Sequence, residues 1–150
     1  MKKLYGWDYF KKLEQNKPRI GRSINDTVTM LNAKESIVAA GPSATTLESR
    51  AKGNPVAVVY PEDGAVLMVS ASGILKNAPA PNAGRLFIEY LLSREGNEVM
   101  VQQYQDPVNK HLKPLGGKSI AEIKTIRPTA VEIEKGIPEV KELFRETFGI

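Results

Sequence analysis

Apolar residues in this chain recur with two different periods. Trp7, Phe10 and Leu13 are spaced three apart with Lys11, Lys12 and Glu14 between or beside them, which predicts an amphipathic helix over residues 5–15 that Pro18 stops. Ser23 followed by Asp26 resembles a helix start, and Ile24, Val28 and Leu31 then share a face, predicting a helix over residues 24–33. Residues 36–41 read as a short buried strand. Gly41-Pro42-Ser43 turns the chain into a helix reaching Lys52, with Gly53 ending it and Thr45 and Glu48 at capping-box spacing. Val56-Ala57-Val58-Val59-Tyr60 is a continuous apolar run of the kind that fills a parallel sheet covered on both faces. Pro61-Glu62-Asp63-Gly64 makes a sharp turn, residues 65–70 form the next strand, and residues 73–75 continue extended.

Helices dominate the remainder. After the stiff loop Ala78-Pro79-Ala80-Pro81-Asn82, Leu86, Phe87, Tyr90 and Leu91 stripe a strong helix, and Ser93 caps a shorter one carrying Val99, Met100 and Gln103. Residues 106–118 hold Pro107, Pro114, Gly116 and Gly117 and read as loop. Residues 129–134 alternate weakly, and Pro138 opens a final helix with Val140, Leu143, Phe144 and Phe148 apolar. Strands alternating with helices early and helices late define an α/β class, and no repeat of solenoid period is present.

Composition narrows the function classes. A chain of 150 residues is one ordinary domain, and 41% hydrophobic with 25% charged residues is a globular balance. Lys and Arg number 21 against 17 Asp and Glu, and the net charge of +4 is spread along the chain. That mild excess permits an anionic small molecule or an acidic surface as partner and falls short of a nucleic-acid footprint, which is a basic patch or stripe. Cysteine is absent, which excludes disulfides, thiolate metal sites and a cysteine nucleophile. With His111 alone, a His-rich zinc site and a Ser–His arrangement have no basis. No apolar run approaches the roughly 18 residues of a membrane span. The start, Met1-Lys2-Lys3-Leu4-Tyr5, is basic, but Asp8, Lys11 and Lys12 prevent an apolar core from forming after it, so no signal peptide is expected in this chain.

Two junctions carry candidate chemistry. In an open α/β sheet ligands sit beyond the carboxyl ends of the strands, beside the helices that begin there. Arg22-Ser23-Ile24-Asn25-Asp26-Thr27 and Gly41-Pro42-Ser43-Ala44-Thr45-Thr46 are both rich in small polar residues at expected helix starts. Their hydroxyls and unpaired N–H groups suit a small anion, and the same atoms equally suit plain capping. Arg22 reads either as ligand contact or as a solvated surface charge. Glu62 and Asp63 are adjacent acids in a turn, an arrangement that serves turn geometry better than paired-carboxylate catalysis. Leu115-Gly116-Gly117-Lys118-Ser119 ends like a phosphate-binding loop but lacks the first glycine and a preceding strand.

Three stretches together resemble the C-terminal part of bacterial solute-binding proteins of ABC importers, in the group that includes ferric-iron binders. They are Asp26-Thr27-Val28-Thr29-Met30-Leu31-Asn32-Ala33, then Asn54-Pro55-Val56-Ala57-Val58-Val59-Tyr60-Pro61-Glu62-Asp63-Gly64-Ala65, then Lys76-Asn77-Ala78 through Pro81-Asn82-Ala83 to Leu86-Phe87-Ile88-Glu89-Tyr90-Leu91-Leu92-Ser93-Arg94-Glu95-Gly96. The resemblance implies a type II periplasmic-binding fold, two lobes closing on a ligand by a hinge, of which this chain is the C-terminal half. It implies that residues 1–60 end the second lobe and residues 61–150 cross the hinge and return to the first. It also implies a periplasmic or extracellular setting and an ABC permease as partner. Ferric binders of this group place neighbouring tyrosines just after the strand that here reads Ile37-Val38-Ala39-Ala40. This chain has Gly41-Pro42-Ser43-Ala44-Thr45 there, and its five tyrosines, at 5, 9, 60, 90 and 104, do not rebuild the pair that suits hard Fe(III). The expected ligand is therefore a small oxyanion or organic acid, or iron carried as an anion-coordinated complex. The expected binding residues are Arg22, Ser23, Asn25, Ser43, Thr45, Tyr60 and Asp63, with no cofactor, no resident metal and no catalytic group.

Two other classes stand beside that reading: a ligand-sensing regulatory domain of the same fold class, and a small hydrolytic enzyme using the Asp63 turn. No DNA-reading helix and no nucleophile–base pair is evident for either. Half of a two-lobed fold leaves apolar faces uncovered, so a homodimer through those faces is expected, and the run 56–60 is expected to be buried.

Overall fold

The computed structural model describes residues 1–149 and divides the chain into two units, Met1–Arg22 with Arg127–Ile150, and Ser23–Ile126. Helices α1 (Lys2–Tyr5), α2 (Asp8–Glu14) and α7 (Ala130–Phe148) build the first. The helix expected over residues 5–15 is thus α2, shorter at its start, and α1 is a separate turn ahead of it with Gly6 and Trp7 between them. Helix α7 begins well before Pro138, which lies inside it. Its start is a capping box: Thr129 Oγ1 accepts from the Glu132 N–H (3.2 Å), and Glu132 Oε2 accepts from the Thr129 N–H (2.7 Å). That reciprocal pair nucleates the helix, so the expectation that proline opens it is corrected.

Trp7 fastens α2 to α7. Its Nε1 donates to Thr147 Oγ1 at 2.8 Å, that hydroxyl in turn donates to Leu143 O, and the indole stacks on Phe10. Lys2 pairs with Glu139 and Lys3 with Glu132. The Thr129 N–H, the Lys3 ammonium and the Thr129 hydroxyl together hold Glu132 down from its ordinary 4.5 to about 2. A carboxylate depressed in the folded state stabilises fully above the unfolded value and loses that contribution as pH falls through the folded one. Helix α7 should therefore lose part of its stability between about pH 4.5 and 2. Glu132→Gln should flatten that limb of an acid titration followed by far-ultraviolet circular dichroism, and identical profiles for variant and wild type would contradict it.

The second unit holds α3 (Asp26–Asn32), α4 (Ser43–Ala51), β1 (Ala65–Val66), α5 (Pro81–Leu92), α6 (Arg94–Gln102), a 3₁₀ turn (Ile120–Glu122) and β2 (Thr125–Ile126). Strands β1 and β2 are parallel, with Ala65 opposite Thr125 and Val66 opposite Ile126. The Ala65 N–H donates to Lys124 O and the Leu67 N–H to Ile126 O, both at 2.9 Å. The chain returns between them through α5 and α6, as a parallel crossover requires.

Strand content is far below expectation. Residues 36–41, 56–60 and 73–75 have no strand assignment, and 65–70 shrinks to two residues. A strand is defined by its ladder partner, and among the described residues only β2 supplies one. Residues 56–60 alternate instead: Val56, Val58 and Tyr60 are half-buried, while Ala57 and Val59 are exposed, Val59 at 84%. The expected two-sided burial of this run is not met. Helix α5 forms as expected, but Leu86, Phe87 and Tyr90 of its apolar stripe are exposed.

Polar contacts do much of the internal fastening. Helices α5 and α6 meet at a corner made by Ser93, whose hydroxyl accepts from the Gly96 N–H (3.1 Å) and donates to Tyr90 O (2.7 Å). Asn97 behind it is fully buried and fully used. Its Nδ2 donates to Leu91 O (3.1 Å) and Ser93 O (2.7 Å), and its Oδ1 accepts from the Asn109 N–H (2.9 Å). Across α3 and α4, the buried Ser49 hydroxyl exchanges hydrogen bonds with the Asn32 carboxamide and accepts from Asn54 Nδ2 at 3.1 Å.

Candidate functional site

Helices α3 and α4 bring the two polar junctions of the sequence together. Gly41 lies so close to Thr27 that a Cβ there would stand 2.6 Å from Thr27 Oγ1, and the Asn32–Ser49 contact holds the far ends of the same helices. Thr27, at the edge of this junction, is therefore a packing residue that spacing alone did not single out. The glycine opposite it is the only residue type that admits so close an approach.

The two junctions differ in what they leave available. In the first, hydrogen bonds are spent locally. The Ser23 N–H donates to Asp26 Oδ2 (2.9 Å), the Asn25 N–H donates to Ser23 Oγ (3.3 Å), and Thr27 Oγ1 donates to Ile24 O (2.8 Å). Helix α3 starts at Asp26 with Asn25 as its cap residue, so Ser23 organises the preceding turn rather than capping the helix. Asp26 sets a negative charge in the first turn of α3, which opposes an anion. Arg22, Ser23 and Asn25 are exposed.

In the second junction the hydrogen-bonding capacity is only partly spent. Helix α4 starts directly at Ser43 after Pro42, with no side-chain cap and no acid in its first turn. The expected Thr45–Glu48 capping box is not made, because Glu48 pairs with Lys52 one turn on. Thr46 Oγ1 donates to Pro42 O at 2.8 Å. The neighbouring Thr45 Oγ1 is buried and has no partner among the described residues. Leaving a buried hydroxyl unpaired costs about 1–3 kcal/mol, so such a group marks a place where a partner fits. The first N–H groups of α4 carry the positive end of the helix dipole to the same turn.

Tyr60 reaches α4 through a loop. Its hydroxyl accepts from the Lys118 N–H at 3.3 Å, the Lys118 ammonium lies 5.8 Å from the ring centroid, and Gly117 lies between Tyr60 Oη and Leu47 of α4. The glycines of Leu115-Gly116-Gly117-Lys118-Ser119 thus serve a close approach to Tyr60 and Leu47. Ser119, bonded to the Glu122 carboxylate, is one half of a capping box on the 3₁₀ turn, not a nucleophile with its base. Asp63 is half-buried in the turn ahead of β1, where Gly64 packs on Ile126. His111 is exposed in the loop beyond α6. Ser43, Thr45 and Tyr60 are thus grouped about α4, with Ser23 and Asn25 at the α3 junction and Asp63 at the separate β1 turn, while Arg22 is the last residue of its stretch of the first unit.

Two open depressions lie elsewhere. One of about 600 Å³, in the first unit, is lined by Trp7, Lys11, Glu14, Leu143 and Thr147 among others; the second, of about 310 Å³, lies between the ends of α4 and α6. Neither contains a residue expected to bind ligand. No described helix is long and apolar enough to cross a membrane.

The family model for bacterial extracellular solute-binding proteins matches residues 2–125, and the chain belongs to that family. No curated protein and no solved structure gives a significant match. The family's general role is binding a small-molecule solute outside the cell for transport, and it is non-enzymatic. Membership points to a periplasmic-binding fold, of which this chain shows a mostly helical part with a two-stranded parallel sheet.

Proposed function

We propose that this chain provides one wall of the interlobe cleft of a type II periplasmic-binding fold, and captures a small oxyanion or organic acid for an ABC importer. The observation that carries the reading is the buried, partnerless hydroxyl of Thr45 at the acid-free start of α4. Ser43 and Thr45, with the N–H groups of the first turn, would accept the anion. Ser23 and Asn25 would border it from the α3 junction, and Tyr60 would close the side nearest Leu47. In the two-lobed scheme residues 1–60 finish the second lobe, and Asp63 belongs to the hinge crossing that opens residues 61–150. The absence of tyrosines at positions 41–45 argues against direct tyrosinate capture of Fe(III).

Thr45→Val tests the reading because it preserves shape and removes only the hydroxyl. Calorimetric titration with phosphate, sulfate and citrate should show binding of at least one by the wild type. The variant should bind that anion about 5- to 150-fold more weakly, the equivalent of about 1–3 kcal/mol for a lost polar contact. Its melting temperature should be unchanged or higher, because the orphaned group has gone. Equal affinity in both proteins, or no binding of any of the three by the wild type, would remove the anion assignment.

A further inference from the structure

Gly41 is a glycine for room, not for backbone freedom. Its φ lies outside the left-handed region that Gly53 and Gly64 occupy, so a side chain there meets no backbone strain. What excludes one is a single atom. A Cβ at Gly41 would stand 2.6 Å from Thr27 Oγ1, whereas the next atom, Thr27 Cβ, lies at 3.5 Å, an ordinary van der Waals distance. The Thr27 hydroxyl is held where it is by donating to Ile24 O at 2.8 Å.

A short, stiff link joins Gly41 to the first turn of α4. Pro42 stands between Gly41 and Ser43 with its φ fixed by the ring. Pro42 O accepts from the Thr46 hydroxyl (2.8 Å) and the Thr46 N–H (3.4 Å), so Pro42 and the helix start move as one piece. At the far end, Ser49 exchanges two hydrogen bonds with the Asn32 carboxamide of α3. A push at Gly41 therefore swings α4 about Ser49, and the movement is largest at Ser43, about 9 Å along the helix from that pivot. The segment leading in offers little resistance, since no backbone–backbone hydrogen bond involves residues 37–41 among the described residues.

On the anion reading of that turn, on which this rests, we propose that the Gly41–Thr27 contact sets the position of the anion site. Thr27, on α3, is a positioning residue for Ser43, Thr45 and the first N–H groups of α4. Relieving a Cβ at Gly41 down to ordinary contact takes a shift of about 0.8 Å. Groups that converge on one ligand have to be held to about 0.5 Å, so a swing of that size takes them out of register.

Gly41→Ala should keep its helical circular dichroism and bind phosphate, sulfate or citrate, whichever the wild type binds, about tenfold or more weakly in calorimetric titration. Combining it with Thr27→Ala removes the obstructing oxygen and should return the affinity to within about threefold of the wild type. Combining it with Thr27→Ser keeps that oxygen and should leave binding weak. These two double variants differ by one atom, so a general loss of stability does not reproduce the split. Wild-type affinity in Gly41→Ala would show that the Thr27 hydroxyl turns aside, and would overturn the proposal. So would equal affinities in the two double variants, or a double alanine variant that fails to fold or still binds weakly. If Gly41→Ala alone loses its helical signal, the double alanine variant decides by the same rule. The wild type separates this claim from the one beneath it. Binding none of the three anions removes the anion reading and the proposal with it, whereas binding in the wild type beside an unimpaired Gly41→Ala removes the proposal alone.

Discussion

Gly96→Ala should be the most damaging single-methyl addition at any described glycine, costing about 4 kcal/mol or more. A Cβ at this position would lie 2.1 Å from Tyr90 O, 3.0 Å from Tyr90 C and 3.2 Å from Leu91 Cα. All three are backbone atoms of the last turn of α5, so no side-chain rotation relieves the overlap and the α5–α6 corner must open. Opening it separates Ser93 from the Gly96 N–H and pulls the Asn97 carboxamide from Leu91 O and Ser93 O. The Asn109 N–H, which donates to Asn97 Oδ1, loses its partner in the same movement. Each buried polar group left unpaired adds about 1–3 kcal/mol to the steric cost. The internal control is Gly136→Ala, where the added methyl meets nothing within 4 Å inside α7. That change should be neutral or stabilise by about 0.5–1 kcal/mol, since alanine is the better helix former. Urea unfolding followed by circular dichroism separates the two, and matching midpoints for both variants would show that the corner is not tightly packed.

Gly64→Ala should cost about 3 kcal/mol, by a different route. Gly64 has φ +129°, a conformation that L side chains rarely adopt, and such strain costs about 1–3 kcal/mol. Its Cβ would also stand 2.8 Å from Ile126 Cγ1 and 3.2 Å from Cδ1, so the Ile126 side chain must move. Ile126 is in β2, and the strain therefore falls on the only ladder among the described residues. Amide exchange of Ala65 and Leu67, whose N–H groups donate to Lys124 O and Ile126 O, reports it directly and should accelerate about tenfold or more. Ile126→Val in the same chain should recover part of the loss by shortening the obstructing side chain. Unchanged exchange in Gly64→Ala would show that the turn accommodates a side chain.

The helices were the readable part of this sequence. Periodic apolar residues locate α2 through α6 to within a few residues, because helical hydrogen bonds close within a single segment and the pattern that makes them is local. For α7 the proline signal at Pro138 points to a start that is too late, although the Thr129 and Glu132 capping box is present in the letters. Strands are over-read for the opposite reason. The run 56–60 has the composition of a central strand, but a strand exists only where a second segment supplies the ladder, and that information is not in the run itself. The missed β2 is the counterpart: Thr125 and Ile126 are too short a segment to show a period.

At the candidate site, the chain's letters identify Ser43 and Thr45 as polar groups at a helix start, and leave capping and ligand binding as alternatives. In the packed chain α4 has no side-chain cap and the Thr45 hydroxyl lacks a partner among the described residues, which leaves binding at these residues as the proposal made above. Ser23 goes the other way, its hydroxyl being spent on the Asn25 N–H. The family, too, was readable from three short stretches, and the match over residues 2–125 bears out its coarse form as a solute-binding protein.

What the sequence by itself determined is therefore the positions of helices α2 through α6, the family and the chemical types available for binding. All of these come from local spacing and side-chain identity. Only the tertiary structure decided that Gly41 meets Thr27, that Asn97 bridges three segments, and which hydroxyl is left unpaired. Those outcomes depend on which distant residues share a surface, and hydrogen-bond satisfaction is counted across the packed chain rather than along it.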